Sequence, residues 1–201
     1  MSISPPPLPR YLVAQLPVRR FTVEEYHRLI DQNFFVADEQ FELIDGYITE
    51  KMSRNPPHDA AVNRARRRIE RALPSGWIVR IQSAITTADS EPEPDIAVAR
   101  GEDEDYVARH PGPGDLALVV EVANTTLATD RGPKLAAYAR AGIAVYWIVN
   151  LDDAQLEIFS APEPTSSSYL KRAILRAGES ISVLLGTEST ASIPVADLLP
   201  T

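Results

Sequence analysis

The chain has 201 residues, 44% of them hydrophobic and 24% charged, with 20 Lys+Arg against 28 Asp+Glu for a formal net charge of −8. These proportions exclude a disordered or fibrous polypeptide and fit one globular domain, long enough to bury about 70% of its unfolded surface. The acidic balance excludes a generic polyanion binder, and the lack of cysteine excludes disulfides, thiolate metal sites and cysteine nucleophiles.

The first twenty residues hold five prolines, three arginines and no acid. They read as an extended leader, 1–20, ahead of a single domain over 21–201. They lack the continuous apolar core of a signal peptide, and the longest nearly uncharged apolar run, 141–151, falls short of the ~18 residues a membrane span needs. A cytoplasmic location is the resulting expectation. Thr22 and Glu25 have capping-box spacing ahead of Tyr26, Leu29 and Ile30, which predicts a helix over 22–32. In FELIDGYITEKM (41–52) two apolar-rich runs flank Asp45-Gly46, a strong hairpin signal. Alternation sets Phe41 and Leu43 on one side and Glu42 and Ile44 on the other.

After Asn55-Pro56-Pro57 a helix is predicted over 58–73. Val62, Ala65, Ile69 and Ala72 form its buried face, and Arg64, Arg67, Arg68 and Arg71 a basic stripe. WIVRIQSAI (77–85) and PDIAVA (94–99) read as strands, the second inside a stretch (89–105) with eight acids and one arginine. GEDED (101–105) reads as a solvated loop. LALVVEV (116–122) is apolar almost throughout, as a strand covered on both faces would be, and carries one acid, Glu121. Asp130 is expected to cap a helix over 131–141 with Pro133 in its first turn and Gly142 at its end. AVYWIVN (144–150) is a further buried strand, and 154–159, 169–175 and 180–184 read as antiparallel strands. The order predicts an α/β (mixed α+β) fold with helices flanking a mixed central sheet, the two strands of the 116–150 unit being parallel.

Four side chains stand out by context. A carboxylate at Glu121 resists burial unless it is paired or metal-bound. Asp95 opens a second short apolar strand, and Glu42 sits in the hairpin. Lys134 falls in the first turn of the expected helix, where the dipole disfavours a cation and nearby carboxylates or a phosphate would compensate. Converging carboxylates hold a hard cation such as Mg²⁺ through oxygen, and the ion can activate a water and polarise a phosphoryl oxygen. A neighbouring lysine can orient that water or offset developing charge. The bland alternatives are solvated acids in an acidic loop, cross-strand pairing of Glu42 with a lysine, and a solubilising lysine.

FELIDGYI, EPEPDIAVA, LALVVEV and DRGPKLAAYARAGIAVYWIVN, in that order, resemble the bacterial Uma-family restriction endonuclease-like proteins of the PD-(D/E)xK nuclease superfamily. The resemblance spans about residues 21–159. It implies a restriction-endonuclease-like fold and a Mg²⁺-dependent (Mn²⁺ possible) endonuclease acting on DNA. By the same resemblance Asp95, Glu121 and Glu42 are metal ligands, Lys134 is the catalytic lysine, and Gln82 binds a metal-bound water. The superfamily lysine normally lies two residues after the second acid. Here that position is Ala123, and Lys134 on the following helix matches its substitute. The family's Ser-Pro-Ser-Thr after the second acid is Asn124-Thr125-Thr126-Leu127 here, and its Glu before Tyr-Trp is Val145. Nucleases of this fold often work as dimers, which makes a homodimer an expectation.

The alternatives are a catalytically silent binding module on the same fold and a metal phosphohydrolase acting on another substrate. His58 is expected to serve the helix start or to face solvent, and isolated His27 and His110 give no zinc spacing. The arginine stripe is expected to be a solvated face pairing with the 89–105 acids rather than a phosphate contact.

Overall fold

The computed structural model of the chain describes residues 18–35, 40–51 and 55–199, so the leader up to residue 17 lies outside the described residues. Helix α1 (Val23–Asp31) begins as its capping box predicts: Thr22 Oγ1 accepts from the Glu25 N–H and Glu25 Oε2 from the Thr22 N–H, each at 3.1 Å. The hairpin of β1 (Phe41–Ile44) and β2 (Tyr47–Glu50) turns on Asp45 and Gly46, both left-handed at φ 51° and 75°, as a two-residue type I′ loop requires. A Cβ on Gly46 would lie 2.6 Å from Arg20 Cβ, so the turn admits only glycine there. The Gly46 N–H donates to Asp89 O at 2.9 Å, and Leu43 pairs with Glu91. These bonds pin the hairpin against the segment leading to Asp95.

Helix α2 (Pro56–Ala72) starts two residues earlier than expected. Its prolines occupy the first turn, where a missing N–H leaves no helical bond unmade. Asn55 Oδ1 caps it by accepting from the His58 N–H at 3.1 Å. Ala61, Val62, Ala65 and Ile69 are buried. Arg68 pairs with Asp197 at 3.4 Å and Arg66 with Glu70 at 3.2 Å, partners outside the 89–105 acids.

The long apolar runs form one six-stranded sheet in the order β3 (Trp77–Ile81), β4 (Ile96–Arg100), β5 (Leu116–Ala123), β6 (Val145–Asn150), β7 (Gln155–Glu163), β8 (Ser168–Arg176). Only β5 and β6 are parallel; the other neighbours are antiparallel. Every residue of β5 and β6 is buried, because both sheet faces are covered. Ile96, Val98, Leu118, Val120, Trp147 and Val149 pack against α2 and the C-terminal Leu198 and Leu199. The alternate residues Ala97, Val119, Ala123, Tyr146 and Ile148 form the second core with Tyr138.

The β5-to-β6 connection is one helical segment, α3 (127–140): an α turn at Leu127–Thr129, a π turn at Asp130–Lys134 and an α-helix at Leu135–Arg140. This corrects the expectation that Asp130 caps a helix starting at residue 131. Pro133 lies in the helix interior, where its ring crowds the carbonyl of residue i−4, and the wider π turn absorbs it. Lys134 is therefore about two turns inside α3 rather than in its first turn, and the dipole does not explain its setting.

Other expectations also shift. β3 ends at Ile81 because Gln82 is left-handed at φ 47°, so 82–85 is not strand. The 101–105 loop contains a 3₁₀ turn, Asp103–Tyr106. Residues 180–184 split: β9 (Ser180–Ile181) pairs with β12 (Ile193–Pro194), and β10 (Leu184–Leu185) with β11 (Glu188–Ser189).

Glu157, fully buried on β7, ties α3 to the sheet face that it covers. Its carboxylate accepts from Arg131, from Arg172 at 3.0 Å, from Asn150 at 3.0 Å and from Gln155 at 3.2 Å. Burial alone would push its pKa up, but these donors outweigh it and bring it down to about 2. A folded-state pKa below the unfolded value adds stability above the unfolded value, lost as pH falls through the folded one. For Glu157 that contribution is at most about 3 kcal/mol at neutral pH, less what solvent screening of the half-exposed Arg131 and Arg172 removes. Glu157→Gln is expected to lower unfolding free energy by about that amount at pH 7 and to flatten its fall between pH 4.5 and 2; urea titrations across that window that superimpose on wild type would refute the assignment.

Candidate active site

Asp95 and Glu121 are 26 residues apart in sequence, but the strand register brings them together. In the antiparallel β4–β5 pair Ile96 faces Val120, so the next position sets Asp95 opposite Glu121. Glu121 shares its sheet face with Val119 and Ala123, the face that α3 covers. From α3, Lys134 Nζ donates to Glu121 Oε1 at 2.9 Å and the Tyr138 hydroxyl donates to the same oxygen at 2.6 Å. The four-residue spacing of Lys134 and Tyr138 aligns them on one side of the helix. Glu42, the alternate residue of β1, reaches the same ammonium, with its Oε1 3.3 Å from Lys134 Nζ, while its Oε2 accepts from the Glu93 N–H at 3.1 Å.

Asp95 is held separately. Its Oδ2 accepts from the Val122 N–H at 2.8 Å and lies 3.1 Å from His58 Nε2; Gln82 Nε2 is 3.5 Å from its Oδ1. Gln82 thus sits past the end of β3, turned by its left-handed backbone toward Asp95, rather than within the strand. His58 lies in the first turn of α2, as expected, but its ring meets Asp95 rather than solvent. Asp130, expected as a helix cap, is buried in the π turn and accepts from Thr126 Oγ1 at 2.5 Å. All of these side chains but Tyr138, which backs Glu121 from behind, line one cavity of about 330 Å³, and Lys51 and Glu93, paired at 2.5 Å, form part of its wall.

Electrostatics follow from burying more carboxylate than ammonium. Burial raises the Glu121 carboxyl well above the usual range; Lys134 opposes this, and Asp130, Asp95 and Glu42 reinforce it. Burial likewise raises Asp130, to about 6 against the pull of Lys134. For Lys134, burial would lower the pKa, but Glu121, Glu42 and Asp130 overcome it and keep the ammonium charged. Burial pushes Asp95 up, yet His58, the Val122 N–H and Lys134 bring it below the ordinary aspartate value. His58 is raised in turn, because Asp95 and Asp59 outweigh its burial.

The chemistry of the donors suits a hard divalent cation: Glu42, Asp95, Glu121 and Asp130 line the cavity with oxygen and leave an excess of negative charge. Among the described residues no three acidic or histidine side chains already stand as a chelating cluster. Glu121 Oε1 is engaged by Lys134 and Tyr138, and Asp95 Oδ2 by His58 and Val122. The residues that sequence reasoning missed are Tyr138, Asp130 and the Asp95 contact of His58. The four-residue spacing of Asp130, Lys134 and Tyr138 was visible in DRGPKLAAY; the His58 partner was not.

These charges predict opposite stability effects for two variants. Glu121→Gln removes a carboxyl whose ionisation burial penalises and leaves Lys134 with Glu42, so unfolding free energy is expected to stay within about 1 kcal/mol of wild type or to rise. Lys134→Ala strands buried carboxylates and is expected to cost about 3–5 kcal/mol. Chemical denaturation at pH 7 checks both, and a Glu121→Gln loss as large as that of Lys134→Ala would contradict the balance of charge described.

Among solved structures, the chain is similar to a putative nuclease belonging to DUF820 from Anabaena variabilis ATCC 29413. The two share 15% identity and a TM-score of 0.65 over 89% of this chain and 97% of that one, a likeness of fold. No curated protein matches. The Uma2 family model, described as putative restriction endonuclease, matches residues 23–196. That match takes in the hairpin, both helices around the cavity and the whole six-stranded sheet, and the chain therefore belongs to the Uma2 family.

Proposed function

We propose that the protein is a Mg²⁺-dependent endonuclease that hydrolyses phosphodiester bonds of DNA. Membership of a family described as putative restriction endonucleases supports a nuclease-like function. The observation that carries the finer reading is the convergence of Glu42, Asp95, Glu121 and Lys134, from four separate segments, on one cavity.

Asp95, Glu121 and Glu42 would hold the cation, which supplies an activated water and neutralises charge on the phosphate. The chain's own groups do the rest. His58 and the Val122 N–H hold Asp95 ionised and fix its direction. Tyr138 fixes Glu121 against rotation. Lys134 stays charged and presents its ammonium beside Glu121, where it can orient the attacking water or donate to a non-bridging phosphate oxygen as negative charge grows. Water would add to phosphorus as the bond to the leaving sugar oxygen breaks opposite to it, the proton that the water loses passing to solvent and the leaving oxygen taking one from solvent. Gln82, aimed at Asp95, is placed to hold a water near that carboxylate.

Supercoiled plasmid nicking tests the proposal. Wild type is expected to nick DNA with Mg²⁺ or Mn²⁺ and to stop in EDTA. Asp95→Asn and Lys134→Ala are expected to lose at least about 100-fold in rate, with circular dichroism confirming that each variant is folded under assay conditions. Undiminished nicking by both variants would remove the assigned roles. A wild type that neither nicks DNA nor binds Mg²⁺ calorimetrically would overturn the proposal.

A further inference from the structure

The catalytic reading leaves one strongly charged surface unused. Residues 64–71 hold five arginines and one glutamate, so a quarter of the chain's 20 basic residues fall in eight positions of a protein with net charge −8. Arg64, Arg67, Arg68 and Arg71 lie within a sector of about 100° on α2, centred about 120° round the helix from the buried side formed by Ala61, Val62, Ala65 and Ile69. Together these four line a groove of about 310 Å³.

The cavity itself cannot recruit a polyanion by charge. Six of its lining residues are carboxylates and two are lysines, a balance that repels phosphate. A protein that acts on a nucleic acid then needs its attraction elsewhere, and the arginine groove is the one concentration of positive charge that α2 offers. The same helix joins groove and cavity. Its first turn carries His58, 3.1 Å from Asp95, and Arg64 and Arg71 follow about 9 and 20 Å further along the axis. Guanidinium groups contact phosphate oxygens through paired N–H donors, which suits a sugar-phosphate backbone.

We infer that the arginine groove of α2 is a second, non-catalytic contact for the phosphate backbone of the nucleic acid on which the protein acts. This rests on the nuclease reading for the identity of the partner. The contact is electrostatic and independent of base sequence, so it supplies affinity and leaves selectivity to the cavity.

Fluorescence anisotropy with labelled 20-base-pair duplexes of two unrelated sequences, in EDTA so that no turnover occurs, tests it. Wild type is expected to bind both alike, with affinity falling as salt rises. The triple variant Arg64→Gln/Arg67→Gln/Arg71→Gln is expected to bind about 10- to 100-fold more weakly at low salt, with a log–log salt slope shallower by about 2–3. Arg68 is left in place because it pairs with Asp197. The corresponding triple lysine variant keeps the charge and is expected to retain most of the affinity and the slope, which separates lost charge from lost structure. Unchanged affinity and slope in the glutamine variant would overturn the inference, as would competition by polyglutamate as effective as that by DNA. Plasmid nicking by a wild type that shows no duplex binding would overturn it alone. Arginine-dependent binding without nicking would uphold it while the catalytic proposal failed.

Discussion

The site depends on one constraint: a buried ammonium must serve more than one carboxylate. Lys134 lies 2.9 Å from Glu121 and 3.3 Å from Glu42, with all three side chains at most a tenth exposed. Breaking such a pair from one side leaves an uncompensated buried charge, whereas replacing it by packed apolar groups is often neutral or stabilising. A fold under selection for stability alone would have little reason to assemble this cluster. Its presence at the end of the most apolar strand is a cost to stability of the kind that functional sites carry.

The fold meets that constraint with rigid parts. Glu121 and Asp95 are fixed by strand register, and Glu42 by a hairpin pinned through Gly46 and Leu43. Lys134 and Tyr138 come from a helix whose π turn accommodates Pro133. Each carboxylate has protein donors of its own, so the site differs from a ready-made chelating cage. A cation entering it competes with the ammonium and hydroxyl on Glu121 Oε1, while the other oxygen of Glu121 and Asp95 Oδ1 carry fewer protein contacts.

Much of this was legible from the residues, for physical reasons that can be named. Glu121 stands out because a lone acid in LALVVEV has no inexpensive way to be buried. Asp45-Gly46, the Thr22–Glu25 box and the strand–helix–strand unit are local signals, and the structure follows them. The failures are equally specific. Asp130 reads as the cap of a helix over 131–141 because Pro133 suits a first turn, and nothing local announces a π turn; that reading sets Lys134 against the helix dipole. Gln82 leaves its strand through a left-handed conformation for which a non-glycine residue gives no signal. The partner of His58 lies 37 residues away across the sheet, a separation beyond any periodicity argument.

The central claim is that this excess of buried carboxylate is a divalent cation site. Anomalous diffraction from crystals soaked in Mn²⁺ tests it most directly. The account predicts a peak within bonding distance of both Asp95 and Glu121, with Lys134 displaced from at least part of its contact with Glu121. A well-ordered site that shows no anomalous peak there at saturating Mn²⁺, with Lys134 still bonded to Glu121, would contradict it.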